Sequence, residues 1–228
     1  MLEPLRYLLL QVRNADDPML KQEVSCFAEI LEVDESQVAV FDLLGGSLQE
    51  NDLLETDIVL VGGSGHYSAA GEGDWLDVAL DSLRLVHDSR KPTFASCWGF
   101  QAMARAMGGR VVHDLEKAEL GVHHVKLTSA GTADPVFGPS GPILQGLMGH
   151  EDTVVELPAG AELLASTERV QNQAYRFVDR PIYCTQFHPE LNRDSFLGRL
   201  KSYPEYVEKI AGLSLDEFRH SIHDTPEA

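Results

Sequence analysis

The sequence predicts an α/β fold, with a mostly parallel central sheet covered by helices on both faces and extra strands toward the C-terminus. In the first half of the chain, short apolar runs alternate with helical segments. Strands buried on both faces of a parallel sheet are apolar along their length, so this alternation favours a parallel sheet between two helical layers. Two of the runs lead directly into glycine-rich or small-residue turns, at the strand ends where such folds bind ligands.

The first half contains four predicted strands, at 5–12, 38–43, 57–61 and 92–95. Helices are expected behind Asp17 and Pro18, at 75–89 behind Asp74, and at 98–107. The first helix has one apolar face at helical spacing, formed by Leu20, Val24, Phe27 and Leu31. This order of elements is that of a flavodoxin-like three-layer sandwich.

The second half is richer in strands, which we predict at 110–113, 122–128, 154–157, 162–166, 174–178 and 182–187. The section 132–149 is rich in Gly and Pro, so we expect a loop with one helical turn there. The tail from Ser195 is predicted to be helical. With no repeat and no interdomain linker, residues 1–228 are expected to form one domain, with a helical C-terminal extension from about 203.

The acidic composition argues against two classes of partner. Asp and Glu number 36 against 18 Lys and Arg, which gives a formal net charge of -18 over 228 residues. Such a charge repels the nucleic-acid backbone, so we expect no nucleic-acid partner. No apolar run approaches the ~20 residues of a membrane span, so we expect no membrane partner either.

The three cysteines lie far apart, and none belongs to a C-x-x-C pair. This spacing predicts neither a disulfide framework nor a zinc site. The N-terminal apolar run lacks the preceding basic region and the cleavage site of a signal peptide. We therefore expect a cytoplasmic protein that uses no metal or other cofactor.

Cys97 lies where the strand at 92–95 turns directly into the helix at 98–107, within the sequence A-S-C-W-G. This strand–turn–helix pattern is that of a nucleophile elbow, and it predicts a thiol exposed at the carboxyl end of the sheet. The free amides and the positive dipole end of the helix favour the thiolate, which is the nucleophilic form. Cys26 and Cys184 fall within a helix and a strand, where cysteine is usually a small buried side chain.

A nucleophilic thiol needs a base, and the base needs an orienting group. His188 and Glu190 are two residues apart at the end of an apolar strand, so their side chains point the same way in an extended chain. The carboxylate is then placed to orient the imidazole and stabilise its cation. The competing interpretation is a strand-terminal turn with solvated polar groups. The other histidines are expected in loops or at the surface.

The glycine-rich loop 62–65 follows the third strand. Acyl transfer needs N–H donors for the oxyanion, and glycines expose backbone amides to a ligand. The amide of Trp98, which follows the cysteine, is the second natural donor. A phosphate is the alternative ligand for such a loop, but the sequence lacks both the G-x-G-x-x-G spacing and the Walker lysine.

Together these segments resemble the class I (triad) glutamine amidotransferases, in particular the stand-alone kind similar to the glutaminase part of GMP synthase. The family's pattern is a G-G-x-x loop, then G-x-C-x-G-x-Q, then H-P-E, and the chain has a counterpart of all three in this order, with Ala95 at the first glycine of the second. The resemblance implies that Cys97 is the nucleophile, His188 the base and Glu190 the third member of the triad. It also implies an oxyanion hole formed by Gly63 and the Trp98 amide.

The resemblance further implies a substrate pocket. Gln101, in the family's glutamine position, and Gly65 would contact the amino-acid end of the substrate. His150 and Asp152 belong to a segment that resembles the family's S-H-x-D, with Gly149 in place of serine. Both would lie beside the substrate.

Two residues depart from the family's pattern. Ala95 replaces the first elbow glycine, and because alanine is the smallest substitute we expect the strand–helix contact to be kept. Ser64 replaces the proline that usually follows the glycine pair, which affects the stiffness of the loop more than the chemistry.

We hypothesise that the protein cleaves the γ-amide of glutamine through a cysteine thioester, giving glutamate and ammonia for a separate acceptor protein. No synthetase segment is present in this sequence. One alternative is a γ-glutamyl peptide hydrolase that acts alone on a small-molecule substrate. Others are a catalytically silent regulatory or binding paralogue and, ranked last, a stress protein of related fold with a cysteine elbow. The oligomeric state is left open.

Overall fold

A computed structural model describes residues 4–226 and 228 of the chain. Its strands are β1 (Tyr7–Gln11), β2 (Val38–Asp42), β3 (Ile58–Val61), β4 (Thr93–Ser96), β5 (Arg110–His113), β6 (Glu119–Leu127), β7 (Ile143–His150), β8 (Asp152–Glu156), β9 (Ala161–Ser166), β10 (Ala174–Phe177) and β11 (Ile182–Thr185). Its helices are α1 (Met19–Ile30), α2 (Glu50–Leu54), α3 (Asp74–Ser89), α4 (Trp98–Ala106), α5 (Ser129–Ala133), α6 (Arg193–Ser202) and α7 (Leu215–Phe218).

The described residues form a nine-stranded sheet in the order β2-β1-β3-β4-β11-β10-β9-β6-β7. The strands from β2 to β11 in this order are parallel, and the rest continue antiparallel. The carboxyl ends of β3, β4 and β11 therefore meet at one edge, where the three predicted motifs begin. The predicted fold class is confirmed, and the extra strands extend one side of the sheet.

Helices cover both faces of the parallel half because its strands are apolar on both sides. Leu8 and Leu10 of β1 pack into a core shared with α3 and α4. Tyr7 and Leu9 point the opposite way, toward Phe27 of α1. The alternation of side chains along a strand thus feeds two separate cores. Asp74, expected to precede α3, is instead its first residue.

The section 132–149 is not the loop that its glycines predict. Its second half is β7, which pairs with β6 over eight residues from Ile143 to His150. Glycine is rare in strands and so weakens the strand signal. Gly146 has a packing reason, since a Cβ there would lie 3.0 Å from the side chain of Phe187. The short helix α2 was also not predicted.

The C-terminal region packs on the sheet through its own apolar cluster. After α6 the chain forms a π-helical turn over Val207–Ala211 and then α7. Phe218 and Ile222 are buried together with Leu120 and Leu200. No helix among the described residues is long and apolar enough to cross a membrane.

Candidate active site

Cys97 lies on a strained turn between β4 and α4. Its φ is +53°, a left-handed value that costs a non-glycine residue about 1–3 kcal/mol. The turn is held by the Cys97 amide, which donates to the carbonyl of Thr185 at 2.8 Å. The thiol was expected to be exposed, but Cys97 is only 5% exposed. It instead lines a cavity that is open to solvent on one side, with its sulfur 3.7 Å from the carbonyl oxygen of Gly149.

The tight contact of the elbow is made at Gly99, not at Ala95. A Cβ on Gly99 would lie 2.7 Å from the carbonyl oxygen of Val61, and the Gly99 amide donates to Gly62 at 3.1 Å. Ala95 is fully buried in an ordinary strand pairing with Val61. Its methyl group adds to the core between the sheet and the helices. The alanine therefore leaves the strand–helix contact intact.

His188 and Glu190 form a short ion pair at the end of β11, with 2.7 Å between Nδ1 and Oε1. Because Nδ1 is directed at the carboxylate, Nε2 is the ring nitrogen left for other partners. The Cys97 side chain lies close enough to this imidazole to raise its pKa. Both also lie near Gly63, where a Cβ would be 3.2 Å from His188 and 3.6 Å from Cys97. The predicted three residues are thus brought together.

The imidazole of His188 is held in its cationic form. Burial opposes the charge, but the Glu190 carboxylate and the Cys97 sulfur outweigh it and raise the pKa of His188 to about 9. Burial also favours a neutral Glu190, yet the His188 cation and the Arg199 guanidinium lower the pKa of this carboxyl. By contrast, burial raises the pKa of the Cys184 thiol to about 12, which makes that thiol inert.

A chain of buried charges continues from Glu190 away from the sulfur. Arg199 of α6 lies 3.6 Å from Glu190 and 3.7 Å from Glu23 of α1. Glu23 pairs with Arg13 at 2.8 Å, and Arg13 with Asp17 at 3.3 Å. Burial of Glu23 opposes its charge, but Arg13 and then Arg199 lower its pKa. Acidic and basic groups alternate along this chain, so each charge has an opposite neighbour.

Glu23 also holds the residue that was expected to form the oxyanion hole. The Gly63 amide donates to Glu23 Oε1 at 3.0 Å and is therefore not directed at the cysteine. The preceding carbonyl, on Gly62, accepts from Gly99, so both ends of this peptide unit are bonded. Gly62 is needed here, since a Cβ on it would lie 2.5 Å from the Glu23 carboxylate. As arranged in this structure, Gly63 is not an oxyanion donor.

The other predicted donor, the Trp98 amide, has no acceptor among the described residues. It belongs to the first turn of α4, where amides lack partners within the helix. The Ser64 hydroxyl, which replaces the family's proline, accepts from the Tyr67 amide at 3.1 Å. This bond closes a turn in the glycine loop and supplies part of the stiffness that proline would give.

The cavity beside Cys97 has a volume of about 230 Å³. Gln101 and Gly65, which were expected to contact the substrate, both line it. Both Gln101 Nε2 hydrogens are used inside the protein, by the Asp152 carbonyl at 3.1 Å and by Gln186 at 3.0 Å. The Gln101 side-chain oxygen accepts no bond from the described residues, so it is the part of this residue free to meet a ligand.

His150 and Asp152 also line the cavity, but their polar atoms are bonded to the protein. His150 contacts the Asp152 carbonyl at 3.0 Å and Glu119 at 3.2 Å, one through each ring nitrogen. The Asp152 carboxylate accepts from Ser68 at 2.6 Å and contacts His113 at 3.0 Å. The two residues predicted to lie beside the substrate therefore have their polar atoms bonded to the protein and form part of the pocket wall. Among the described residues, no cluster of His, Cys, Asp and Glu side chains is arranged to hold a metal ion.

The sequence reasoning missed the buried charged residues that continue from the His188–Glu190 pair. Glu23 carried a usable signal, since it follows Leu20 and precedes Phe27 at helical spacing on a face that is otherwise apolar. A charged residue at such a position needs a buried partner. Arg13 and Arg199 gave no comparable signal, because nothing local indicates that α6 would lie against α1.

Replacing Glu23 with Gln tests the weight of the charge chain. The amide keeps the shape of the side chain and an acceptor for Gly63, but it leaves Arg13 with only Asp17 opposite it. We expect the free energy of unfolding to fall by about 3 kcal/mol or more, because removing one partner leaves the other buried charge without full compensation. Urea denaturation measures this. Glu29→Gln, exposed on the same helix, should change it by less than ~0.5 kcal/mol, and equal effects of the two substitutions would contradict this role of Glu23.

The raised pKa of His188 gives stability a specific dependence on pH. The folded protein favours the imidazolium up to a pH of about 9, whereas an unfolded histidine titrates near 6.5. This contribution is fully present below about 6.5 and is lost as pH rises through about 9. Denaturation of the wild type and His188→Gln across this range should show the stability difference shrinking by roughly 3 kcal/mol. A difference that stays constant would rule out the cationic pair.

Comparison with known proteins identifies the family of this chain. Residues 22–196 match the family model described as glutamine amidotransferase class-I. The chain is 30% identical over 201 residues to gamma-glutamyl peptidase 4 of Arabidopsis thaliana, covering 85% of this chain and 79% of the relative. It is 33% identical over 160 residues to the glutamine-hydrolyzing GMP synthase of Marinobacter nauticus, covering 68% of this chain and 29% of the relative. A glutamine amidotransferase from Thermotoga maritima superposes with a TM-score of 0.73 at 20% identity, covering 95% of this chain and 89% of that one. The chain therefore belongs to the class I glutamine amidotransferase family.

Proposed function

We propose that the protein hydrolyses γ-glutamyl amides through a thioester on Cys97. The observation that carries this proposal is the meeting of a strained elbow cysteine with a buried His188–Glu190 ion pair. A thiol, a base and a carboxylate that orients the base are the groups required for nucleophilic acyl transfer. The relatives are named as a gamma-glutamyl peptidase and as a glutamine-hydrolyzing synthase, and both names fit cleavage of a γ-glutamyl amide.

The first half-reaction forms the thioester. The Cys97 thiolate attacks the γ-carbonyl carbon, and the electron pair of the carbonyl moves to its oxygen. The Trp98 amide lies beside the nucleophile as a donor to that oxyanion. When the tetrahedral intermediate collapses, His188 gives its proton to the departing nitrogen, which leaves as ammonia or as a free amine. The γ-glutamyl group then remains on the sulfur.

The second half-reaction releases the acid. The neutral His188 takes a proton from water, and the oxygen of that water attacks the thioester carbon. The carbon–sulfur bond breaks, the Cys97 thiolate leaves, and glutamate is released with the imidazolium restored. Throughout the cycle, Glu190 keeps the ring oriented through Nδ1 and stabilises its positive charge.

Gly63 can join Trp98 as a second oxyanion donor only if its amide leaves Glu23. We infer that the resting form has one donor in place and that the second is supplied by rotation of the 62–63 peptide unit. Glycine on both sides of a peptide unit permits such a rotation at little steric cost. The rotation breaks the bond from Gly63 to the charged Glu23 acceptor, which is worth about 1.5–3 kcal/mol, and also the bond that the Gly62 carbonyl accepts from Gly99.

The proposal predicts that Cys97→Ser loses at least roughly 1000-fold in kcat for release of glutamate from glutamine or a γ-glutamyl amide, because the nucleophile is gone. Glutamate release by purified protein is the measurement, and rapid acid quenching with mass spectrometry should detect the γ-glutamyl thioester on the wild type. Cys26→Ser, at a buried cysteine outside the site, should keep activity in the folded fraction. Undiminished release from Cys97→Ser would overturn the assignment.

The fate of the nitrogen separates two forms of this function. An amidotransferase hands ammonia to a synthetase, and the GMP synthase relative is named for both activities, with this chain spanning 29% of its length. A γ-glutamyl peptide hydrolase needs no such partner. The C-terminal residues Glu205, Tyr206 and Lys209 line the cavity from outside the family match. Because this chain completes the wall of its own pocket, we favour the hydrolase that acts alone.

A panel of glutamine and γ-glutamyl dipeptides, assayed with the purified chain alone, distinguishes the two forms. If the protein acts alone, a dipeptide should have a kcat/KM at least about tenfold above that of glutamine, an advantage of ~1.4 kcal/mol in the transition state. Cys97→Ser serves as the blank for contaminating activity. A clear preference for glutamine, or turnover only after a synthetase is added, would favour the ammonia-supplying role instead.

A further inference from the structure

The cavity beside Cys97 has a wall that the triad does not explain. It is formed by the C-terminal segment, residues 203–211, which contributes Tyr206 and Lys209. Facing them is Glu151, in the turn between β7 and β8. Neither Lys209 nor Glu151 takes part in the triad or in the buried charge chain. The role of these two charged side chains in the cavity wall is therefore a separate question from the role of the triad.

The C-terminal segment is firmly attached to the glycine loop. The ring of Tyr203 packs directly over Gly65, where a Cβ would lie 2.5 Å from it. The Tyr203 hydroxyl donates to Asp17 at 2.6 Å and accepts from Arg13 at 2.9 Å. These bonds join the segment to the buried charge chain. Lys209, six residues further along, is thus carried on an anchored segment at the rim of the cavity.

Lys209 and Glu151 form a close ion pair, with 2.6 Å between Nζ and Oε2. The Lys209 side chain is 43% exposed and that of Glu151 is 14% exposed. A pair this exposed contributes only about 0–1 kcal/mol to stability. Phe218 and Ile222 already bury the C-terminal region against the sheet. The ion pair is therefore not needed to hold the segment in place.

The other charged side chains that line the cavity are either hydrogen-bonded within the protein or exposed to solvent. Lys209 is the sole lysine or arginine among the described residues that line it. The Asp152 carboxylate is used by Ser68 and His113, and Glu205 is exposed. Lys209 and Glu151 are consequently the one cation and the one partly buried anion among these residues that can exchange their mutual bond for bonds to a ligand.

An amino-acid zwitterion has the complementary arrangement, with an ammonium and a carboxylate on one carbon atom. We propose that Lys209 receives the α-carboxylate, and Glu151 the α-ammonium, of the γ-glutamyl group whose γ-carbonyl faces Cys97. The C-terminal segment then determines substrate specificity. This inference rests on the proposed hydrolysis of γ-glutamyl amides and names the end of the substrate that is recognised.

The chemistry of the substrate decides which end binds the pair. In a γ-glutamyl dipeptide, the nitrogen of the second amino acid is part of the scissile amide and carries no charge. Its free carboxylate would match Lys209 but would leave Glu151 facing a like charge. Only the γ-glutamyl end has both charges. The adjacent Gln101 oxygen, free on the cavity side, is a further acceptor for the ammonium.

The experiment pairs changes in the protein with changes in the substrate. The preferred γ-glutamyl substrate is compared with its α-amide, which lacks the carboxylate charge, and its N-α-acetyl derivative, which lacks the ammonium. For the wild type, each change should raise KM roughly 10- to 100-fold, since each removes one charge-assisted hydrogen bond. Lys209→Met should raise KM for the parent substrate similarly and no longer distinguish it from the α-amide. Glu151→Gln should lose discrimination against the N-acetyl derivative.

Two control variants lie outside the cavity. Lys201→Met on α6 and Glu208→Gln beside Lys209 remove exposed charges of the same kinds, and both should keep wild-type discrimination. The inference is overturned if Lys209→Met weakens the parent and the α-amide equally, or if it changes neither. A Lys209→Met effect restricted to dipeptides, with glutamine unaffected, would place Lys209 at the leaving group and would also overturn it.

Binding separates a failure of this inference from a failure of the proposed function. Cys97→Ala protein, which cannot form the thioester, is titrated with L-glutamine by calorimetry. Binding that is lost in Cys97→Ala/Lys209→Met and kept in Cys97→Ala/Lys201→Met supports recognition by the pair, even if the wild type turns nothing over. If Cys97→Ala and Cys97→Ala/Lys209→Met bind L-glutamine equally well, or if neither binds it, the inference is overturned whatever the activity of the wild type.

Discussion

The buried Glu23 carboxylate is the group on which the geometry of the site depends. It lies between Arg13 and Arg199 and accepts the Gly63 amide. A buried charge is tolerated only while its partners stay in place, because losing one partner costs several kcal/mol. Arg199 in turn contacts Glu190, so the same constraint reaches the His188–Glu190 pair. Secondary-structure elements far apart in sequence are thereby fixed relative to the cysteine.

The parallel sheet brings the motifs to one edge, and the charge chain links two helices to that edge. β3, β4 and β11 deliver the glycine loop, the elbow and the His188–Glu190 pair to neighbouring positions. The sheet alone does not fix how α1 and α6 lie over that edge. The contacts of Arg199 with Glu23 and Glu190 link these two helices to the end of β11. Backbone pairing and side-chain charge therefore do different parts of the positioning.

The sequence predicts those parts that local pattern determines. Apolar runs indicated the parallel strands, and motif spacing indicated Cys97, His188 and Glu190, because each depends on neighbours in the chain. The pairing of β7 was missed, since its glycines serve contacts with distant residues such as Phe187. His150 and Asp152 line the cavity, but their bonds to Glu119 and Ser68 arise only from the tertiary structure.

The Gly63 amide donates to Glu23 in this structure. In the proposed reaction it would donate to the oxyanion instead, and this change of acceptor has a mechanistic consequence. Glu23 carries a full charge that is also paired with two arginines. In the proposed reaction, the oxyanion next to Cys97 would concentrate new charge where only the Trp98 amide is in place. The attraction of the Gly63 amide to that oxyanion would then exist only after the substrate has been attacked. An interaction made in the transition state and absent in the ground state lowers the barrier without tightening substrate binding.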